Sequence, residues 1–284
     1  MKWLLALIVF STNSYAQDII VFAHRGFRGL NPENTLTAFK EALHHTSTVE
    51  MDIMISKNMD VVVTHDAVIN SKIYTDKQGK ALSKDNKNII YELNTNELSD
   101  YTLGILPNSA FPEQSKLKET IPTLENVMQE LTKYSQSKGL SRPHYFIETK
   151  ISENTDDQYH PKPKEVVELL VKVLKKYIKP DEVIIQSFDS RTLSYIKKYY
   201  PEYKTCLLDK KKQPLSKYLT ELDFKPDYFS PSFKEITPQT LKESKQFAVP
   251  LVGGNSNSKK EVEQMQKWGI QYVISDYPYK MLKN

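Results

Sequence analysis

Two histidines, an arginine and two carboxylates stand near the ends of short apolar runs early in the chain. They lie in His24-Arg25-Gly26, Glu50-Met51-Asp52 and His65-Asp66, with Pro32-Glu33-Asn34-Thr35 between the first two. Side chains of a strand alternate faces, so Glu50 and Asp52 point the same way and can share one cation. Paired hard oxygen ligands suit Mg²⁺, Ca²⁺ or Mn²⁺ rather than zinc. Arg25 offers a planar fork of donors matched to phosphate oxygens. Hydrolysing a phosphodiester requires neutralising the phosphoryl charge, activating a nucleophile and protonating the leaving alkoxide. His24 and His65 can carry the two proton transfers if one starts neutral and the other protonated, and the sequence does not assign the roles.

Glu148 and Lys150 repeat the i, i+2 spacing on another apolar run, so both should face the same mouth as Glu50 and Asp52. An inward charge needs a partner, because an isolated buried charge is costly. They either pair with each other or act on a ligand. Glu33 is expected to open a helix, where a carboxylate is favoured by the N-terminal dipole. The remaining histidines carry less. His44 and His45 should cap a helix end, His144 should start a strand at the end remote from the mouth, and His160 falls in a loop that could line it.

These residues must be positioned by an alternating frame. Apolar, β-branched runs predict strands at 19–23, 48–55, 61–65, 145–151, 183–188, 204–208, 228–231, 250–252 and 272–275. Three- and four-residue apolar spacing predicts helices at 33–44, 124–135, 164–177, 190–200, 238–247 and 259–268, with Thr123, Thr237 and Ser258 as N-caps. Such alternation closes most naturally into a TIM (β/α)₈ barrel with its active site at the C-terminal strand ends, where the polar residues fall. An open doubly wound sheet would want a glycine-rich phosphate turn after its first strand, and His24-Arg25-Gly26-Phe27-Arg28-Gly29 lacks that fingerprint. Residues from about 66 to 120 break the rhythm: they are polar, contain Gly79, Pro107 and Pro112, and read as an insertion after an early strand.

Residues 1–16 read as a signal peptide, with Lys2, an apolar run from Trp3 to Phe10, and Ser14 and Ala16 at a cleavage site. The run is shorter than the about 20 residues a span requires, so no stable membrane anchor is expected and the location should be periplasmic or secreted. The remaining 17–284 form one domain, close to the roughly 250 residues usual for this barrel. The formal net charge of +4 comes from lysines interleaved with glutamates, which is not a nucleic-acid footprint. The Lys210-Lys211-Lys212 run reads as a solvated loop. Cys206 is the single cysteine, so no internal disulfide can form.

Taken in order, His24-Arg25-Gly26, Pro32-Glu33-Asn34-Thr35, Glu50-x-Asp52, His65-Asp66, Ile121-Pro122-Thr123-Leu124-Glu125, Glu148-x-Lys150 and Ser275-Asp276-Tyr277-Pro278 resemble the glycerophosphodiester phosphodiesterase family over nearly the whole chain after the leader. The resemblance implies hydrolysis of a small-molecule phosphodiester to glycerol 3-phosphate and an alcohol, with a divalent cation, Mg²⁺ or Ca²⁺, as cofactor. It implies Glu148 as third metal ligand beside Glu50 and Asp52, Arg25 and Lys150 as phosphate contacts, and an insertion overhanging the cleft. One run departs from the pattern. Val252-Gly253-Gly254-Asn255 stands where relatives commonly have Trp-Thr-Val-Asn, which implies loss of an aromatic cleft wall while Asn255 still contacts substrate. Phospholipase C- or D-like barrels that act on lipids use similar histidines. A non-catalytic binding protein could also keep such a pocket, although an intact set of His24, His65, Glu50, Asp52 and Glu148 argues against it.

Overall fold

The computed structural model describes residues 19–85 and 87–282; the expected signal peptide, 1–16, lies outside the described residues. Eight parallel strands form the frame: β1 Ile20–Ala23, β2 Thr48–Ile55, β3 His144–Thr149, β4 Val183–Ser187, β5 Lys204–Leu208, β6 Tyr228–Ser230, β7 Val252–Gly253 and β8 Tyr272–Ser275. They are hydrogen-bonded in the order β6-β5-β4-β3-β2-β1-β8-β7. A parallel bridge between Phe229 and Leu251, with the Phe229 N–H donating to the Pro250 carbonyl at 3.0 Å, brings the two edges together. The result is the nearly closed (β/α)₈ barrel that the alternation predicts.

Helices follow the strands: α1 Leu36–Ala42, α2 Leu124–Lys138, α3 Pro163–Tyr177, α4 Ser190–Tyr199, α5 Leu215–Glu221, α6 Pro238–Phe247, α7 Lys259–Lys267 and α8 Pro278–Met281. The Thr123, Thr237 and Ser258 hydroxyls accept from the amides three residues on, as N-caps do. Apolar faces such as Val166, Val167, Leu170, Val171 and Leu174 of α3 are buried against the outside of the barrel.

Two elements differ from the sequence expectation. The helix expected at 33–44 begins only at Leu36, because Asn34 has φ +56 and Thr35 caps the first turn by accepting from the Ala38 amide. Glu33 therefore lies outside the helix. The run expected as a strand at 61–65 is not a barrel strand: Val61–Val63 returns antiparallel along β2, pairing Ile53 with Val63 and Ile55 with Val61. The few residues between Ile55 and Val61 cannot make a parallel crossover, which needs about a dozen.

The segment after this hairpin is not structureless. It carries a small antiparallel sheet of Tyr74–Asp76, Tyr101–Leu103 and Glu119–Thr120, with Ile69, Tyr74, Ile90, Leu98 and Leu103 buried against Met54 and Val62. Its last part reaches the first barrel loop, where Gln114 Nε2 donates to the carbonyls of Arg28 and Asn31 and the Arg28 guanidinium lies 4.7 Å from the centre of the Phe111 ring.

Candidate active site

Side-chain parity inside the barrel sets the site. Phe22, Phe146, Cys206, Val252 and Ile274 fill the interior, with Ile184 packed against them. Two residues further along four of these strands, on the same face and nearer the C-terminal mouth, stand His24, Glu148, Gln186 and Asp276. The apolar plug thus forms the floor on which the polar residues sit.

Strand register brings the carboxylates together. Asp52 of β2 is paired with Glu148 of β3, and Glu148 with Gln186 of β4. Glu50, Asp52 and Glu148 are all buried, and one oxygen of each lies within 4.8 Å of the others. Asn34 Nδ2 donates to Asp52 Oδ2 at 2.9 Å, and Gln186 Nε2 to Glu50 Oε1 at 2.9 Å. Arg25 and Lys150 face this cluster. Arg25 has a left-handed backbone, φ +50, which aims its N–H at Glu50 Oε2 at 2.8 Å. Its Nε is 3.2 Å from Asp52 Oδ2, and its Nη1 donates to Glu33 at 2.7 Å. Gly26, at φ +82, follows because a Cβ there would lie 2.8 Å from Ala38 Cβ of α1. Lys150 Nζ donates to Glu148 at 2.8 Å and lies 3.9 Å from Asp52.

Burial, reinforced by the neighbouring Asp52 charge, raises the Glu50 carboxyl well above the usual range and pushes Glu148 up to about 7. Burial acts the same way on Asp52, but Arg25, with His65 and Lys150, outweighs it and holds that group below the carboxylate range. With all three acids ionised, Arg25 and Lys150 leave one negative charge uncompensated in a buried space. Three converging carboxylate oxygens and that surplus charge fit a hard divalent cation.

Each histidine is held by an aspartate. His24 Nδ1 lies 2.7 Å from Asp276 Oδ1, and His65 Nδ1 lies 2.6 Å from Asp66 Oδ1. A carboxylate only accepts, so both Nδ1 atoms carry a proton toward their aspartates, and it is Nε2 of each ring that is left to exchange a proton. His24 Nε2 is 3.9 Å from Glu50, and His65 Nε2 accepts from Lys150 Nζ at 3.1 Å. Burial lowers the His24 pKa, against the opposing hydrogen bond to Asp276. The Asp276 carboxylate also accepts from Arg28 Nε at 2.6 Å, Asn257 Nδ2 at 2.6 Å and Asn255 Nδ2 at 3.2 Å. Burial opposes its ionisation, but these donors and His24 keep it well below the ordinary aspartate range.

The structure therefore gathers His24, His65, Arg25, Glu50, Asp52, Glu148 and Lys150 at one mouth and sets Asn255 beside His24. Sequence reasoning gave no role to Asp276, Arg28 or Asn257. The signal for Asp276 was its parity with Ile274; Arg28 and Asn257 lie in loops, where periodicity carries no information. Glu33 works through Arg25 and Arg28, 2.7 and 3.4 Å away, rather than through a helix dipole. Val252 is wholly buried in the barrel interior, so in this chain position 252 is part of the floor and not a wall of the cleft. His44 and His45 do not cap α1: His44 Nε2 bonds to Tyr134 Oη and His45 packs edge-on to Phe27. His160 borders the mouth, but its ring is held by Ser152, Thr155 and Pro161. His144 starts β3, remote from the mouth as expected.

A cavity of about 630 Å³ opens beside the site. His65, Glu148 and Lys150 form its inner end; residues 66–72 of the segment after the hairpin make one wall and residues 149–160 the other, with Phe188 at the rim.

Comparison with known proteins agrees with this fold. A Bacillus subtilis (strain 168) protein named glycerophosphodiester phosphodiesterase is 26% identical over 269 residues, covering 92% of this chain and 84% of that protein. A crystal structure from Silicibacter pomeroyi DSS-3 superposes with a TM-score of 0.81 at 22% identity, covering 93% of this chain and 92% of that one. An Oleispira antarctica phosphodiesterase, solved with its product sn-glycerol-3-phosphate, does so with a TM-score of 0.72 at 23% identity, covering 92% and 94%. Residues 24–280 match the model of one family, and the chain belongs to it: the glycerophosphoryl diester phosphodiesterase family.

Proposed function

We propose that this protein hydrolyses glycerophosphodiesters to glycerol 3-phosphate and an alcohol, using His24 and His65 as acid and base around a divalent cation, Mg²⁺ or Ca²⁺. The observation that carries the reading is the pair of histidines, each held at Nδ1 by an aspartate and turned with Nε2 toward the site, flanking three buried carboxylates. Family membership and the names of the relatives support it.

Arg25 and Lys150 bind the non-bridging phosphate oxygens and offset the charge that builds on them in the transition state. One histidine removes at Nε2 the proton of the glycerol hydroxyl next to the phosphate, which attacks phosphorus to give a cyclic phosphate, while the other gives a proton to the departing alkoxide; the roles reverse when water opens the cyclic phosphate to glycerol 3-phosphate. Asp276 and Asp66 keep the tautomer that leaves both Nε2 atoms available. Glu50, Asp52 and Glu148 would hold the cation, which neutralises phosphoryl charge when bound. Asn255, next to His24, contacts the substrate. The apolar run from Trp3 and the small residue Ala16 support export to the periplasm or medium, with the leader removed.

The test is to incubate the purified mature protein with glycerophosphocholine, with and without chelator, and identify the phosphate product. Glycerol 3-phosphate formed only without chelator is expected. Phosphocholine would overturn the bond assignment, and undiminished turnover in chelator would overturn the cation.

A further inference from the structure

The cavity beside the site is much larger than a three-carbon glycerol arm requires, so it is the place for the alcohol half of the substrate. Three lysines and two carboxylates line it. Lys72 and Lys84 stand on the wall built by the segment after the hairpin, and Lys150 lies at the inner end. Among the described residues neither Lys72 nor Lys84 has an ion-pair partner, whereas Lys150 is taken up by Glu148. The two carboxylates that reach the cavity are both occupied. Asp66 accepts from His65 and Asn70, and Glu148 accepts from Lys150. A quaternary or primary ammonium head group would find no free acid there, and recognition of such a cation usually relies on a cage of aromatic faces. Two aromatics border the cavity, Tyr159 and the exposed Phe188, and the Phe188 ring already has the Lys150 ammonium 5.9 Å from its centre, which leaves one ring rather than a cage.

We propose that the preferred substrates are glycerophosphodiesters whose alcohol carries a second anionic group, a phosphate or carboxylate, received by Lys72 and Lys84. This rests on the hydrolytic reading above. Water adds across the phosphodiester, one P–O bond forming as another breaks, and the anionic alcohol leaves with a proton. The segment that bears both lysines is absent from the barrel frame itself, so head-group choice is carried by an addition to the fold and the chemistry by the strand ends.

The experiment compares kcat/KM for three substrates at low ionic strength: glycerophosphocholine, glycerophosphoglycerol, and glycerophosphoglycerol bearing a terminal phosphate. Two solvent-exposed lysines facing one anion give a preference of about 3–10-fold over the neutral compound, with the choline ester slowest. The preference should shrink toward unity in about 1 M salt, where the screening length is about 3 Å. In K72Q/K84Q the ratio of anionic to neutral substrate should also fall to about one; both positions are exposed, so the variant should fold. Equal rates for the three, a choline preference, or a preference that survives the double substitution would overturn this inference and leave the phosphodiesterase reading standing. Turnover of none of the three would overturn both.

Discussion

Replacing Asp276 by Asn separates charge from shape at the group that holds His24. Four donors converge on this carboxylate: His24 Nδ1 and Arg28 Nε on one oxygen, Asn255 Nδ2 and Asn257 Nδ2 on the other. A carboxylate satisfies all four, but an amide accepts at one atom only, so one pair of donors must face an NH₂ group. Asn257 cannot readily flip, because its Oδ1 accepts from the Asp276 amide and the Ser275 hydroxyl. If the amide turns its NH₂ toward His24, it selects the tautomer with the proton on Nε2 and removes the lone pair that the reaction uses. A hydrogen bond to a charged group is worth about 1.5–3 kcal/mol, which corresponds to roughly 10–150-fold in rate. The steady-state kcat of D276N on glycerophosphocholine should fall by that factor. Donors left unmatched should lower the melting temperature by about 2–12 °C, from about 1–3 kcal/mol of lost stability, without abolishing folding. A folded D276N protein with kcat within twofold of wild type would show that the carboxylate does not set the state of His24.

Glu50→Gln keeps the size and the contact from Gln186 but removes one charge from the trio, so cation affinity and activity should fall together in a metal titration, with partial rescue at high cation; unchanged affinity would remove Glu50 from the ligand set. His24→Ala and His65→Ala should each lose on the order of 10²–10⁴ in turnover, and the double variant much less than the product. On a nitrophenyl diester, whose leaving group needs little protonation, the loss should be largely forgiven at whichever position is the acid; forgiveness at neither would refute the assignment. Asp227 accepts from the Thr205 amide at 2.9 Å and pairs with Lys197 and Lys204. Burial opposes its ionisation, yet these donors depress its folded-state pKa. Its contribution is therefore present above the unfolded value of about 3.9 and disappears as pH falls through the lower folded value. Asp227→Asn should cost about 1 kcal/mol at pH 7 and progressively less as pH falls below the unfolded value in parallel urea titrations; a pH-independent difference would mean that the amide geometry, not the charge, matters.

The alternation of strands and helices was legible in the sequence because periods of two and of three to four are local properties of the chain. The same period of two placed Glu50 with Asp52 and Glu148 with Lys150, and capping chemistry marked the starts of α2, α6 and α7. Local pattern could not tell that Val61–Val63 folds back on β2, since an apolar β-branched run reads alike in a hairpin and in a barrel. It could not tell that Asn34 turns left-handed and frees Glu33 for Arg25 and Arg28. Pairing Asp52 with Glu148, and bringing Asp276 across from the far end of the chain to His24, depends on strand register and barrel closure. Those are set by which apolar side chains fill the interior together, and no window of sequence contains that information. The sequence by itself determined the kind of fold and the types of group available for chemistry. Only the tertiary structure decided which of those groups meet, which nitrogen of each histidine is held, and that buried carboxylates outnumber their cations, because burial and distance between remote residues fix those energies.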